Sequence, residues 1–268
     1  MIDKTTRKWY YSKVKNEKKE KKLKKTILSV LVPITISVVI FFIAISIGIK
    51  DKTKIEIEEK TKIVTTIFPV YDFSKQIAGD KAEVIMLLPP GTESHDYEPS
   101  PQDIIKIQES DLFVYTGKYM EVWAENIIET LPNKENVVDA SNGIKLKSAE
   151  DIEKEHGEHE ENEEHNHEHE YETHIWTNPE YAIKMCDNIL EKLCMVDEKN
   201  KEYYEENAKI YKEKLIKLDN EFKQMVENAK RRKIISGSRF PFYYLTDRYK
   251  IEYEAAYDSC NSESRSKC

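Results

Sequence analysis

Apolar and polar residues follow different patterns in successive parts of this chain. From Thr26 to Ile49 no residue is charged, and the run TILSVLVPITISVVIFFIAISIGI is continuous rather than periodic. About 20 such residues suffice to cross the hydrocarbon core as a helix. Residues 26–49 therefore predict a transmembrane helix, with Pro33 inside it and Lys24, Lys25, Lys50 and Lys52 at its edges. A cleavable signal has a shorter apolar core of about 7–15 residues. The length favours an uncleaved anchor, and no cysteine near its end offers a lipid attachment point.

After a polar stretch the pattern changes to short β-branched runs alternating with amphipathic ones. Lys62–Val70 (KIVTTIFPV), Glu83–Leu88, Asp111–Thr116 and Asn136–Asp139 predict strands; Tyr71–Ala78, Pro101–Glu109 and Glu121–Leu131 predict helices. This alternation implies an α/β lobe with a mostly parallel sheet. Ligands of such sheets lie outside the carboxyl ends of the strands, so the loop after Leu88 is a candidate site by topology.

Residues 179–229 predict two helices, the second from about Lys199 to Ala229. In it Tyr204, Tyr211, Leu215, Leu218, Phe222 and Met225 recur at helical spacing as a packing stripe. Lys233–Gly237 and Phe240–Tyr249 then predict a strand and a helix opening a second lobe. The roughly 35 residues available fall below the roughly 40 that a small domain needs without staples. The expected fold class is thus α/β: two lobes with mostly parallel sheets joined by a long helix, the second lobe incomplete, and an N-terminal transmembrane helix. The expected division is 1–25 basic cytoplasmic segment, 26–49 anchor, 50–61 tether, 62–198 N-terminal lobe with an acidic His-rich loop at 150–173, 199–229 linking helix and 230–268 partial C-terminal lobe.

Charge sets the orientation. The formal net charge of −8 hides a basic head: residues 1–25 hold eleven Lys or Arg against three acids, a balance of +8, so the remainder carries −16. The positive-inside rule keeps the head cytoplasmic. The expectation is a single-pass cell-membrane protein with its body extracytoplasmic. An acidic body lacks the basic face that nucleic acid requires. Of the four cysteines, Cys186 and Cys194 lie about 12 Å apart along one helix, beyond disulfide reach; Cys260 and Cys268 are free to pair or not.

Six of the seven histidines fall between His156 and His174, in EKEHGEHEENEEHNHEHEYETH. Imidazoles among carboxylates supply nitrogen and oxygen donors suited to zinc. With almost no apolar residues, the tract is expected to be a mobile loop in which His156, His159, His165, His167 and His169 gather cations; the plainer reading is a solvated acidic run. His174, followed by Ile-Trp-Thr-Asn-Pro, stands where folded sequence resumes, and His95 stands alone in the loop after Leu88. The chain has no HExxH, which removes the commonest zinc-hydrolase arrangement, and no enzymatic activity is expected.

The stretch PPGTESHDYEPSPQDI (89–104) resembles the first ligand motif of the ZnuA-like, cluster A-I solute-binding proteins that serve zinc and manganese ABC transporters. IVTTIFPVYDFSKQIAGD (63–80) looks like that family's first strand and helix, NVVDASNGI (136–144) like its strand before the His-rich insertion, and ETHIWTNP (172–179) like its second ligand motif, DPHxWLDP. The resemblance covers about 62–263. It implies His95 and His174 as ligands of Zn²⁺, or alternatively Mn²⁺, and a membrane-embedded ABC permease as partner. A third family ligand is commonly the histidine of HxxFxY; here Arg239 takes that place, and a guanidinium has no lone pair to donate. Glu263 resembles the acidic fourth ligand, although the SRSKC that ends the chain no longer fits. The alternatives are an anchored metal buffer, an adhesion-type surface protein, or a non-functional truncated fragment.

Overall fold

The computed structural model describes residues 4–52, 59–95, 97–156 and 171–256. Cys260, Glu263 and Cys268, like His159, His165, His167 and His169, lie outside the described residues.

The chain divides into two units, residues 1–59 and 60–268. Among the described residues the first holds one helix, α1 (Lys4–Lys52), which extends beyond both edges expected from the apolar run. Its Lys15–Ile43 stretch is long and apolar enough to cross a membrane. Within it the hydroxyls of Ser29 and Thr35 donate to the carbonyls of Thr26 and Val32, so these polar side chains are satisfied by the helix itself.

The second unit is built on a four-stranded, wholly parallel sheet in the order β2-β1-β3-β4, comprising β1 (Thr61–Thr65), β2 (Ala82–Met86), β3 (Leu112–Tyr115) and β4 (Val137–Asp139). Both faces are covered, as parallel sheets require. Because side chains alternate along a strand, Ile63, Leu112, Val114 and Val138 enter one core with α2 (Phe68–Ala78), α6 (Pro179–Val196) and α7 (Lys201–Glu227). Val64, Phe113 and Tyr115 enter the other, with Ile107 of α3 (Pro101–Gln108) and Ala124 and Ile127 of α4 (Val122–Thr130).

The first strand is shorter than the expected Lys62–Val70. Pro69 does not end a strand but occupies the first turn of α2, where its missing N–H would have had no helical partner and its fixed φ suits the helix. That helix stops at Gly79, whose φ of +57° an L side chain rarely adopts, and where an added Cβ would lie 2.4 Å from the Tyr203 hydroxyl oxygen. The start of the His-rich tract is helical rather than a loop: α5 (Ala149–His156) begins with two acids against its positive end, and the Ser148 hydroxyl accepts the Asp151 amide.

The packing stripe of α7 also differs from expectation. Tyr204 is fully buried, but Leu218 and Met225 are exposed, and Asp219 and Val226 face inward. The stripe slips by one position because Asp219 is satisfied there: Arg248 donates to it from Nε at 2.5 Å and from a terminal nitrogen at 2.8 Å, and Tyr249 donates at 2.8 Å.

Beyond α7, β5 (Lys233–Ser236), α8 (Tyr243–Tyr249) and β6 (Glu252–Ala255) form a second, two-stranded parallel sheet with its crossover helix. The α8 helix starts later than the expected Phe240. Strand β6, EYEA, was not anticipated, since every second residue is acidic. Cys186 and Cys194 are unpaired thiols.

Candidate metal centre

Both histidines singled out from the sequence sit on segments held firmly at their ends. The loop after β2 carries His95. On one side the Glu93 carboxylate accepts the Ser94 and His95 amides at 3.0 and 3.5 Å; burial works to raise this carboxyl, but those amides outweigh it and leave it below its ordinary range. On the other side Ser100 caps α3 through a reciprocal pair with Asp103, and the Tyr97 hydroxyl donates to the same carboxylate at 3.1 Å. Burial opposes ionisation of Asp103, yet Lys106, Ser100 and Tyr97 bring its pKa down to about 2.

His174 follows a short stem. The Glu172 amide donates to the Lys147 carbonyl at 2.9 Å, and Ser148 and Tyr171 form an antiparallel bridge. After it the chain enters a single 3₁₀ turn, Ile175–Thr177, and then α6, whose N-cap Asn178 accepts the Glu180 amide at 2.9 Å. His174 is buried. Its Nδ1 lies 2.5 Å from Glu172 Oε1, and the same oxygen accepts the His174 amide at 2.8 Å. A carboxylate can only accept, so Nδ1 carries the proton and Nε2 presents a lone pair. A carboxylate behind the distal nitrogen is the arrangement that orients metal-ligating imidazoles.

The two Nε2 atoms lie 3.3 Å apart, although 79 residues separate them, and the ring centroids are 5.2 Å apart at 63°. Two imidazole nitrogens on a tetrahedral zinc, each about 2.05 Å from the ion, are separated by about 3.3 Å.

Among the described residues no third ligand joins the two rings, and no three His, Cys, Asp or Glu side chains cluster closely enough to hold an ion. Arg239 is exposed and has no free electron pair. Glu263 lies outside the described residues; His156 ends α5, and nothing of its side chain is described.

Two acids that the sequence reading did not single out support the site. Glu172 is one. The other is Glu121, only 2 % exposed, at the carboxyl ends of the adjacent strands β1 and β3. It accepts the Thr66 hydroxyl at 2.5 Å and the Thr116 and Gly117 amides at 3.1 Å. Burial pushes its pKa up to about 7 against these donors. It fixes the turn into α4, from which Met120 receives the Thr173 hydroxyl at 3.2 Å and Tyr119 packs on Tyr171 at 4.3 Å. A charged residue between Met120 and Val122 carries no sequence sign that it is buried.

A parallel α/β lobe thus carries two converging imidazoles beyond its strand ends, and a long helix leads on to a further parallel unit. The chain belongs to the ZnuA family, zinc-uptake complex component A, periplasmic, whose family model matches residues 63–267. It is 40 % identical over 195 residues to the high-affinity zinc uptake system protein ZnuA of Bacillus subtilis strain 168, which covers 72 % of this chain and 60 % of that one. The Zn(II)-bound AdcA structure from Streptococcus pneumoniae superposes with a TM-score of 0.63 at 34 % identity, covering 74 % of this chain and 39 % of that one. The laminin-binding protein Lmb of Streptococcus agalactiae, described as bifunctional with adhesin and metal-transporting activity, gives 0.62 at 27 % identity, covering 74 % and 68 %. The chain therefore spans 60 % or less of the length of the curated relatives it matches first.

Proposed function

We propose that this chain captures Zn²⁺ as cargo outside the cytoplasmic membrane and hands it to a membrane-embedded ABC permease. The observation that carries the reading is the 3.3 Å separation of the His95 and His174 Nε2 atoms, with Glu172 fixing the second ring. Two neutral imidazoles suit zinc better than manganese, which favours oxygen donors. Glu263 is the proposed acidic ligand. His156, His159, His165, His167 and His169 are proposed as a weaker auxiliary set, and α1 as a single-pass anchor that keeps the body extracytoplasmic. No chemical step on the cargo is needed for this role, and the reading is not enzymatic.

The test is a competition titration of the full chain in detergent with Zn²⁺ and a chromophoric chelator. His95→Ala and His174→Ala are each expected to weaken tight binding by at least about 100-fold, since even supporting partners of a ligand cost about 10–100-fold. His159→Ala should change it less than about twofold, because it belongs to a redundant set. Equal effects at all three positions would remove the assigned site.

The second reading, an anchored metal buffer or adhesion-type surface protein, draws on the bifunctional description of the Lmb relative. Deleting residues 157–170, which leaves Tyr171 and Glu172 of the stem in place, separates the two. A cargo receptor keeps one tight zinc, whereas a buffer loses nearly all binding.

A further inference from the structure

The metal centre is tied to α8 by one hydroxyl group. Tyr244 is 2 % exposed, and its ring packs edge-on against Tyr181 and Tyr243 at 5.5 and 5.3 Å. Its hydroxyl donates to the Glu172 carbonyl at 2.8 Å and accepts the Lys147 amide at 3.0 Å. Those two groups sit on opposite strands of the stem that precedes His174, and a direct backbone bond between these two residues runs the other way, from the Glu172 amide to the Lys147 carbonyl. The phenol oxygen thus acts as an extra rung, closing the stem from the side of α8.

The helix that supplies this rung is itself fixed. Arg248, one turn further along α8, pairs with Asp219 of α7 and, at 2.5 Å, with Glu180 in the first turn of α6. A continuous chain of contacts therefore runs from α6 and α7 through Arg248 to α8, through the Tyr244 hydroxyl to the Glu172 backbone, and through the Glu172 carboxylate to the His174 ring. Tyr244 stands five residues after Arg239, in the segment where the third family ligand is missing. That segment still reaches the centre, through the stem rather than through the ion.

We propose that Tyr244 is a positioning residue for metal binding: its hydroxyl sets the Glu172 backbone and thereby the orientation of the His174 imidazole, so the geometry of the centre depends on α8 being docked. This rests on the reading of His95 and His174 as ligands. Residues that hold a ligand's orienting partner act on affinity and on the ion's coordination without touching it.

The decisive variant is Tyr244→Phe, which keeps the buried ring and removes one atom. Two quantities are read on the full chain: Zn²⁺ affinity by competition, and the visible d–d absorption of bound Co²⁺, which reports ligand geometry. Tyr244→Phe should weaken Zn²⁺ by about 10-fold and change the Co²⁺ band in position or intensity. Tyr181→Phe, altered in the same aromatic cluster but away from the stem, should leave both as in the wild type. A purely structural role would lower the melting temperature of Tyr244→Phe while leaving affinity and band unmoved in the folded chain, and that result overturns the proposal. Should Tyr244→Phe not fold, Glu172→Ala tests the last link of the same path, and an unchanged Co²⁺ band in that variant overturns the proposal equally. His174→Ala separates this inference from the one beneath it. If His174→Ala binds zinc as tightly as the wild type, the ligand reading is wrong and the positioning role falls with it; if it loses zinc while Tyr244→Phe and Glu172→Ala behave as wild type, the ligands stand and only the positioning role falls.

Discussion

The β1–β4 sheet and the β5–α8–β6 segment are both parallel, yet they are held by different forces. In the sheet, successive strand residues enter two separate apolar cores, and Ile63, Val64, Leu112, Phe113 and Val114 are all essentially inaccessible. In the smaller segment the strands alternate exposed and half-buried positions, and Ile235 is 78 % exposed. What attaches that segment is a set of buried tyrosines and one arginine between two carboxylates. Apolar cores tolerate approximate fit, whereas polar attachments depend on every partner being present. The two proposed ligands, His95 and His174, stand on loops of the first kind of structure and, in the role proposed for Tyr244, are adjusted by the second.

The contrast is broken most severely inside the sheet. Phe113→Ala should cost about 3–5 kcal/mol of global stability in urea unfolding, because it empties a fully packed position; a loss below about 1 kcal/mol would mean that this core is not what holds the unit. Arg248→Ala is next. It leaves Asp219 buried without its main partner, at a cost of about 3 kcal/mol, and the loss should be local, with amide exchange rising in α8 and β6 while β1 and β3 keep their protection. Uniform loss of protection would show the two regions to be a single cooperative block.

A gentler test uses pH. The buried Glu121 has a folded-state pKa of about 7 against an ordinary 4.5. The native chain therefore holds a proton that the unfolded chain has released, so this residue's contribution declines as pH rises from about 4.5 to about 7, by about 3 kcal/mol in total. Glu121→Gln should flatten that part of the stability profile between pH 5 and pH 8. A profile identical to wild type would place the titration elsewhere. At the small end, Ile235→Ser should shift stability by about 0.5 kcal/mol or less.

The sequence made the sheet legible because its strands are short, β-branched and bounded by Pro, Gly or Asp. It misled at Pro69, where one residue serves equally to stop a strand and to start a helix, and at Leu218 and Met225, where apolar spacing pointed to a face that Asp219 and Val226 occupy. Strand β6 was hidden by its acidic residues. The two imidazoles were each visible as residues, but 79 positions of spacing say nothing about distance, and their pairing came from the motifs around them. Glu172, Glu121 and Tyr244 were not legible as supports, since a carboxylate or a phenol acquires that role only from the backbone groups that folding brings to it.

The stem at Lys147, Ser148, Tyr171 and Glu172 has a consequence for what lies between its strands. Because the stem is closed by its own bonds and by α8, and Ile152 of α5 packs on the core, a change in chain length between residues 157 and 170 need not reach His174. Loop closure changes by only about 0.6 kcal/mol for each doubling of length. On the proposed reading, the histidine tract can therefore be lengthened, shortened or recomposed, tuning how cations are collected, while the two rings stay where they are.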